Sequence, residues 1–374
     1  MNNNNNQEVK NDNQEIKEQI RCLLSNVYDM QKLRISAGNR LVQSLYIQMG
    51  IKPSKSPDEA ETKFIDKIKK EYKRVSDAFA GGDYRTIKST IKALSKSKDT
   101  NDNLSVIRNE IDYKLIESYM LLLKSEEESV KVLDTYVKEH PLWKEFFEPI
   151  KGCGTLMAAN CLAYFDIHKA KYVSSLYRYA GLDTVQDEDK DGNKLWLKKK
   201  NGVVTSELVK IKQVNDDGTI LYEDINDNSE YTGDVVVSQH GRRMGDTEFV
   251  EYIDKNGEVK QKRSITYNPI LKTKLMGVLT GCLLKAKDPT YSAIYYDYRA
   301  RLDNKEKTKD YTAGRKNMMA QRYMIKQFLR NLYVSWRTLE GLEVYDSYEV
   351  DKLGNKPHKY NEYQHLVATG QIKA

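Results

Sequence analysis

A Gly-Cys-Gly turn at residues 152–154 is the feature that most constrains how this chain can fold. A predicted helix, residues 142–147, precedes the turn, and the small residues Ala158 and Ala159 follow it. Because glycine adopts positive φ and has no side chain, two helices can approach closely at such a turn. The pattern therefore predicts a helix-hairpin-helix unit over residues 149–182.

The same turn is predicted to bind a phosphate group. Its glycines allow backbone N–H groups to face outward together, and the following helix adds unpaired N–H groups and the positive end of its dipole. A phosphate of the DNA backbone fits such a site, with contacts that do not depend on base sequence. The alternative is that the glycines only turn one helix into the next. The predicted binding residues are Lys151, Gly152, Gly154 and Thr155.

Helical spacing of apolar residues dominates the first 140 residues. Residues 1–13, which begin with a run of asparagines, are polar and of low complexity and predict a disordered tail. Residues 14–140 predict a helical arm or bundle, with helices starting near residue 14, over 57–94 and over 104–139. The long amphipathic helix at 104–139 also predicts a homodimer formed through it.

Residues 183–267 change to the pattern of strands and tight turns. Helical spacing returns at 268–286, 289–302 and 313–339, and residues 346–374 form a tail with little pattern. The expected fold class is mainly α: a helical or coiled-coil arm, a helix-hairpin-helix core within residues 141–345, a β-hairpin insertion and C-terminal helices. The turn signals of the insertion are Asp191-Gly192, Asn201-Gly202, Asp217-Gly218 and Asn256-Gly257.

Composition excludes several classes of protein. The net charge of +7 comes from 61 basic against 54 acidic residues, which allows a local basic face but does not require one. No apolar run approaches the length of a membrane span, and no secretory signal is visible, so we expect a cytoplasmic protein without membrane contact. The four cysteines form no CxxC pair, so neither a disulfide nor a zinc site is predicted. No cofactor is evident.

Two other segments, one rich in aspartate and one rich in tyrosine and arginine, are best explained by structural roles. Asp187-x-Asp189-x-Asp191-Gly192 begins like a calcium loop, but Lys198 stands where the twelfth position needs a bidentate Glu, so a hairpin turn is predicted. A helical string rich in tyrosine and arginine is expected to be half core, and its other half is a candidate lining for a nucleic-acid groove. Its members are Tyr291, Tyr295, Tyr296, Tyr298, Arg299 and Arg301.

Several short motifs between residues 130 and 340 resemble, in order, the C-terminal domain of the bridge-RNA-guided insertion-sequence transposases. The order of these motifs is more specific than any single one. The resemblance implies DNA as a partner, with structured RNA as a second candidate. The motifs are His140-Pro141, Ile150 to Gly154, Ala158, Tyr177 to Leu182, Ser238 to Gly245, Ser264 to Leu275 and Ala320 to Leu329.

The resemblance implies that Ser238 occupies the position of the family's nucleophilic serine. A serine that attacks a phosphodiester needs a base or a metal to activate it and cations to neutralise the phosphorus centre. His240 is the candidate catalytic partner, and Arg242 and Arg243 are candidate DNA-binding residues. Arg322, in the closing motif, is also assigned to DNA binding. The alternative is a serine in a strand-to-loop turn beside arginines that only contact the DNA backbone.

The N-terminal half departs from the family. Family members begin with a RuvC-like domain whose four acidic residues hold divalent metal, and residues 1–130 contain no comparable set. No metal site is therefore predicted, and Mg²⁺ would enter only with a partner that supplies acidic ligands. One hypothesis is a transposase-like or site-specific-recombinase-like DNA-binding protein of a mobile element or phage, with serine-mediated transesterification. The other is a non-catalytic DNA-binding or structural protein that reuses this domain.

Overall fold

The computed structural model describes residues 2–48, 70, 110–243, 245–306 and 308–346. The chain divides into two compact units, Met1–His140 and Pro141–Ala374. Within the described ranges, no helix combines the length and the apolar character that a membrane span needs. Apart from residue 70, the helices predicted over residues 57–94 lie outside the described residues, as does nearly all of the predicted C-terminal tail, residues 346–374.

The first unit contains two long antiparallel helices, α1 (Asn2–Gln48) and α2 (Glu110–Glu139). The Asn26 side chain donates to Ser129 at 3.0 Å, and Gly38, further along α1, lies against Tyr119, earlier in α2. The facing stripes are buried, as expected for amphipathic helices that cover each other. They include Ile20, Leu24, Val27, Ile116, Leu133 and Val137.

The start of α1 differs from the sequence-based expectation. Residues 2–13 are helical, whereas their composition predicted a disordered tail. No proline or glycine occurs before Gly38, so nothing in the backbone interrupts the helix between the asparagine run and the apolar stripe. The long helix α2 pairs with α1 of its own chain, and the homodimer through α2 stays a prediction.

The second unit has a helical core. A π-helical turn (Trp143–Phe147) leads to α3 (Thr155–Tyr164) and α4 (Val173–Tyr179). After the strands, α5 (Pro269–Thr273), a π-helical segment (Lys274–Leu279) and α6 (Thr280–Lys285) form one continuous rod. The remaining helices are α7 (Pro289–Asn304) and α8 (Ala313–Leu339). These bounds confirm the predicted return of helices after the insertion.

Aromatic packing on α8 forms the centre of this core. Phe328 is fully buried, and its ring centroid lies 5.2 Å from that of Phe146 and 5.5 Å from that of Tyr291. Large rings bury much apolar area and favour such tilted contacts. The π-helical turn before the hairpin and α7 are thereby both packed against α8.

The insertion contains nine strands among the described residues, in three antiparallel sheets. Strands β1 (Thr184–Gln186) and β7 (Gln239–Gly241) form one pair, and β8 (Glu248–Ile253) and β9 (Val259–Ser264) form another. The third sheet has the order β5-β4-β3-β2-β6. Its strands are β2 (Leu195–Lys200), β3 (Val203–Val214), β4 (Ile220–Asp224), β5 (Glu230–Tyr231) and β6 (Val235–Val237).

The predicted turns explain why the insertion is so rich in strands. Asn201 and Gly202 both have positive φ, 51° and 79°, which is the geometry of the two-residue turn that joins twisted antiparallel strands. The predicted hairpins are thus confirmed. With nine strands the fold is mixed α/β, so the expectation of a mainly α protein is wrong in its proportions although the core is helical.

Candidate functional site

The hairpin turn (residues 150–154) is fixed by its own backbone and by α6. The Cys153 amide donates to the Ile150 carbonyl at 3.1 Å, and Gly152 has φ +91°. A Cβ at Gly152 would lie 2.5 Å from the Cys282 carbonyl oxygen. Gly152 is therefore required for packing and backbone conformation, whatever the turn binds.

Lys151 presents an exposed side chain, while its backbone is held from inside the protein. Its amide donates to Asp288 Oδ2 at 3.1 Å. The residue itself is exposed, so its ammonium group is accessible to an anion. Of the predicted phosphate contacts, the Lys151 side chain is available and its amide is already used.

The N-terminus of α3 is open to solvent. Gly154 is the N-cap residue, with φ −80° and ψ 173°, and a Cβ there would meet nothing within 4 Å. Its carbonyl accepts the first helical bonds, from Met157 and Ala158. Among the described residues, none accepts a hydrogen bond from the amides of Gly154, Thr155 or Leu156. These three N–H groups and the partly exposed Thr155 hydroxyl can therefore donate hydrogen bonds to the oxygens of a single anion such as phosphate.

Ser238 lies between β6 and β7 and donates its hydroxyl hydrogen bond to Asp187 Oδ2 at 2.6 Å. The residue is 6% exposed. The backbones of the same two residues also pair, since the Asp187 amide donates to the Ser238 carbonyl at 2.9 Å. The serine is thus bound into the junction of β1, β2 and β6.

His240 stands between two carboxylates. Its Nδ1 lies 2.6 Å from Asp187 Oδ1, and its Nε2 lies 3.0 Å from Asp246 Oδ2. Only the imidazolium form can donate from both nitrogens. Within the described residues the two predicted catalytic side chains meet through Asp187, and the ring of His240 is not bonded to the serine hydroxyl.

The pKa values of both carboxylates are lowered. Burial alone would raise the pKa of Asp187, but the hydrogen bonds from Ser238 and His240 outweigh it. Asp246 behaves in the same way: burial would raise its pKa, and bonds from the Arg243 amide and His240 lower it. Both groups are held as carboxylates near neutral pH, which makes Asp187 a strong hydrogen-bond acceptor and a weak base.

Arg242 and Arg322 have internal partners. Arg242 is 2% exposed and forms two bonds to the Asp183 carboxylate, at 2.8 and 2.7 Å, and a third to Glu248. Arg322 donates to the carbonyls of Asp183 and Arg242, both at 3.1 Å. Each guanidinium helps to hold β1, β7 and α8 together, and the DNA contacts of Arg242 and Arg322 stay predictions.

Arg243 is exposed and remains accessible to an anion. Its carbonyl accepts a hydrogen bond from the Tyr267 hydroxyl at 3.1 Å. Its positive charge contributes to the lowered pKa of Asp187 and of Asp246. Of the three predicted DNA-binding arginines, Arg243 is exposed, Arg322 is half-buried and Arg242 is buried.

Lys272 is a buried cation that was not among the site residues predicted from the sequence. Its Nζ donates to the Arg242 carbonyl at 2.6 Å and lies 4.9 Å from the Tyr267 ring centroid. Burial, followed by the nearby charge of Arg322, lowers its pKa to about 8. A lone lysine in a helix gives no signal of such an environment, which depends on residues distant in sequence.

The two groups of candidate residues are separate in space. On the same helical rod, Cys282 lies against Gly152 of the hairpin turn and Lys272 binds the Arg242 carbonyl, just after β7. Ten residues of helix span about 15 Å. The hairpin turn and the strand junction around Ser238 are therefore two separate places within the second unit.

A polar cleft of about 510 Å³ opens beside His240. Its cations are paired with its carboxylates: Arg178 lies 2.9 Å from Glu248, and Lys194 lies 2.6 Å from Glu188. With four cations and four carboxylates in its lining, the cleft carries no net excess of positive charge that would attract a phosphodiester. The charged lining residues are Arg178, Lys194, Arg242, Arg263, Asp183, Glu188, Asp246 and Glu248.

Two further expectations concern Asp189 and the tyrosine string. Asp189 accepts from the amides of Asp191 and Asn193, so the hairpin interpretation is confirmed over a calcium loop. Across the described residues no group of three or more acidic, histidine or cysteine side chains is placed to hold a metal ion. In the string, Tyr291 and Tyr295 are buried, as expected, and Tyr296 is exposed.

No protein-family profile matches this chain, and no curated protein or solved structure is significantly similar to it.

Proposed function

We propose that the second unit binds the backbone of duplex DNA through the hairpin turn and the N-terminus of α3, as a transposase-like DNA-binding protein. One observation carries the proposal: three consecutive amides, of Gly154, Thr155 and Leu156, lack an acceptor among the described residues beside the exposed Lys151 side chain. N–H groups at a helix start and an adjacent cation together suit a phosphate. The resemblance of residues 149–182 to a transposase helix-hairpin-helix supports the same function.

The experiment is a titration of the full chain with a labelled duplex over a series of salt concentrations. Lys151→Gln removes the cation, and Gly154→Val places a side chain over the three amides. Each variant is expected to raise Kd about tenfold, and Lys151→Gln is expected to reduce the salt slope by about one.

Gly314→Val is the matched control, because Gly314 also lies near a helix start in open space. It is expected to bind as the wild type does. Wild-type protein without salt-dependent duplex binding would contradict the proposal. An excess of unlabelled structured RNA in the same assay tests RNA as the alternative partner.

Serine-mediated transesterification is the catalytic form of this proposal. The burial of Ser238 and the lowered pKa of its acceptor Asp187 favour the second candidate function, DNA binding without chemistry. A buried hydroxyl that donates to a weak base is poorly placed to attack a phosphodiester. Under that function, Ser238→Ala binds duplex DNA as the wild type does, and the wild type forms no covalent DNA adduct with Mg²⁺ present. A denaturation-resistant adduct lost in Ser238→Ala would establish the catalytic form.

A further inference from the structure

Asp288 joins the hairpin turn to the N-terminus of α7. Its Oδ2 accepts a hydrogen bond from the Lys151 amide at 3.1 Å. Its Oδ1 accepts from the Thr290 and Tyr291 amides, at 3.0 and 2.8 Å, and so caps α7. One carboxylate therefore binds three backbone amides that belong to two segments 137 residues apart.

The burial of Asp288 sets it apart from an ordinary helix cap. The residue is 3% exposed, and its backbone amide is held by the Leu283 carbonyl at 3.1 Å. A helix cap alone needs one carboxylate oxygen. The second oxygen is used for the hairpin turn, which is also held on its other side where Gly152 packs against Cys282.

We propose that Asp288 is a positioning residue: through the Lys151 amide it holds the hairpin turn in its phosphate-binding conformation. The inference rests on the proposed function. Backbone amides bind an anion well only when they are already oriented toward it, because reorienting them in the complex would reduce the affinity. Asp288 orients the turn and does not touch the phosphate itself.

The sign of the expected effect separates this role from simple electrostatics. Asp288 is an acidic group close to the proposed phosphate, so its removal would strengthen DNA binding if only charge mattered. The positioning role predicts the opposite result, a loss of affinity when the negative charge is removed.

Asp288→Ser and Asp288→Asn are the variants that test the proposal. Both residues are good helix caps, so the α7 cap is kept. Serine is too short to reach the Lys151 amide as well, and asparagine presents an NH₂ donor where the second acceptor stood. Thr312→Ala is the control, because it removes the side-chain cap of α8, which accepts from the Arg315 amide, without touching the hairpin.

Duplex titration of the full-length variants over the salt series is expected to show Kd raised about tenfold in both Asp288 variants, with a reduced salt slope. Thr312→Ala is expected to bind as the wild type does, although its thermal midpoint falls. Loss of stability alone does not change the salt slope of a folded protein. Folded Asp288 variants with wild-type or tighter binding would overturn the inference.

Amide exchange in the free wild-type protein tests the same link without a substitution. The Lys151 amide is expected to exchange at least tenfold more slowly than the Gly154 and Thr155 amides, and equal rates would overturn the inference. Loss of binding in Lys151→Gln with unchanged binding in the Asp288 variants would refute this inference alone. A wild-type protein that binds no duplex would refute the proposed function and the inference with it.

Discussion

Gly152 packs against the backbone of α6, whereas Gly154 faces open space. A side chain at Gly152 must adopt φ +91° and overlap the Cys282 carbonyl. Gly154 has a φ of −80°, which any residue adopts. The two glycines of the turn therefore contribute separately to stability and to the accessibility of the α3 amides.

The first prediction compares alanine at these two positions. We expect Gly152→Ala to lower the free energy of unfolding by more than about 2 kcal/mol, since backbone strain and overlap act together. Gly154→Ala is expected to lower it by less than about 1 kcal/mol. Denaturant titration of both variants measures the difference, and equal losses would show that Gly152 is not packed as described.

The second prediction concerns the pH dependence of Lys272. Its pKa of about 8 in the folded chain lies below its ordinary value of 10.5. Between these two values the unfolded chain binds the extra proton, so this group adds to stability as pH rises from about 8 to 10.5. Full titration corresponds to about 3 kcal/mol.

Lys272→Met lacks this gain. Between pH 7 and pH 10, the free energy of unfolding of the wild type is therefore expected to rise relative to that of Lys272→Met. Chemical denaturation at the two pH values measures this difference. If the unfolding free energies of the two proteins changed with pH in parallel, burial of the Lys272 ammonium group would not destabilise the folded protein.

At the scale of elements, the β8–β9 ribbon stands out because both of its faces are largely exposed. Phe249 is 64% exposed and Ile253 is 72% exposed. The base of the ribbon is fixed to the second unit, since Glu248 binds Arg242 and Arg263 lies 3.4 Å from Glu188. The part beyond this base contributes little buried area to the unit that carries it.

The third prediction is that this ribbon can be shortened. Replacing residues 250–262 by an Asn-Gly turn keeps Glu248 and Arg263 and is expected to change the thermal midpoint by less than about 5 °C. Thermal unfolding followed by circular dichroism measures the shift. A fall of more than about 10 °C would mean that the removed strands support the core.

The sequence predicts elements well where local rules decide them. The apolar spacing of residues 313–339 and the Asp288-Pro289 start of α7 set those helices, and turns such as Asn201-Gly202 set the hairpins. Local pattern does not decide which polar residues are buried. Arg242 binds Asp183 across 59 residues and Arg322 binds it across 139, so the sequence gives no sign that these two arginines have internal partners.

At the scale of the whole molecule, the two units have different kinds of core. The first unit buries the stripes of two long helices, and the second unit surrounds α8 with helices and carries the strands. The contacts described for the hairpin turn, from Asp288 to the Lys151 amide and from Cys282 to Gly152, lie within Pro141–Ala374. The proposed DNA binding therefore belongs to the second unit.

Amide exchange across the hairpin, with and without duplex DNA, tests the central claim most directly. The amides of Gly154, Thr155 and Leu156 are predicted to exchange at least tenfold more slowly when DNA is bound at low salt, because phosphate oxygens accept their hydrogen bonds. Exchange in the β8–β9 ribbon is predicted to stay unchanged. Duplex binding with no slowing at these three amides would contradict the claim that the hairpin holds the DNA backbone.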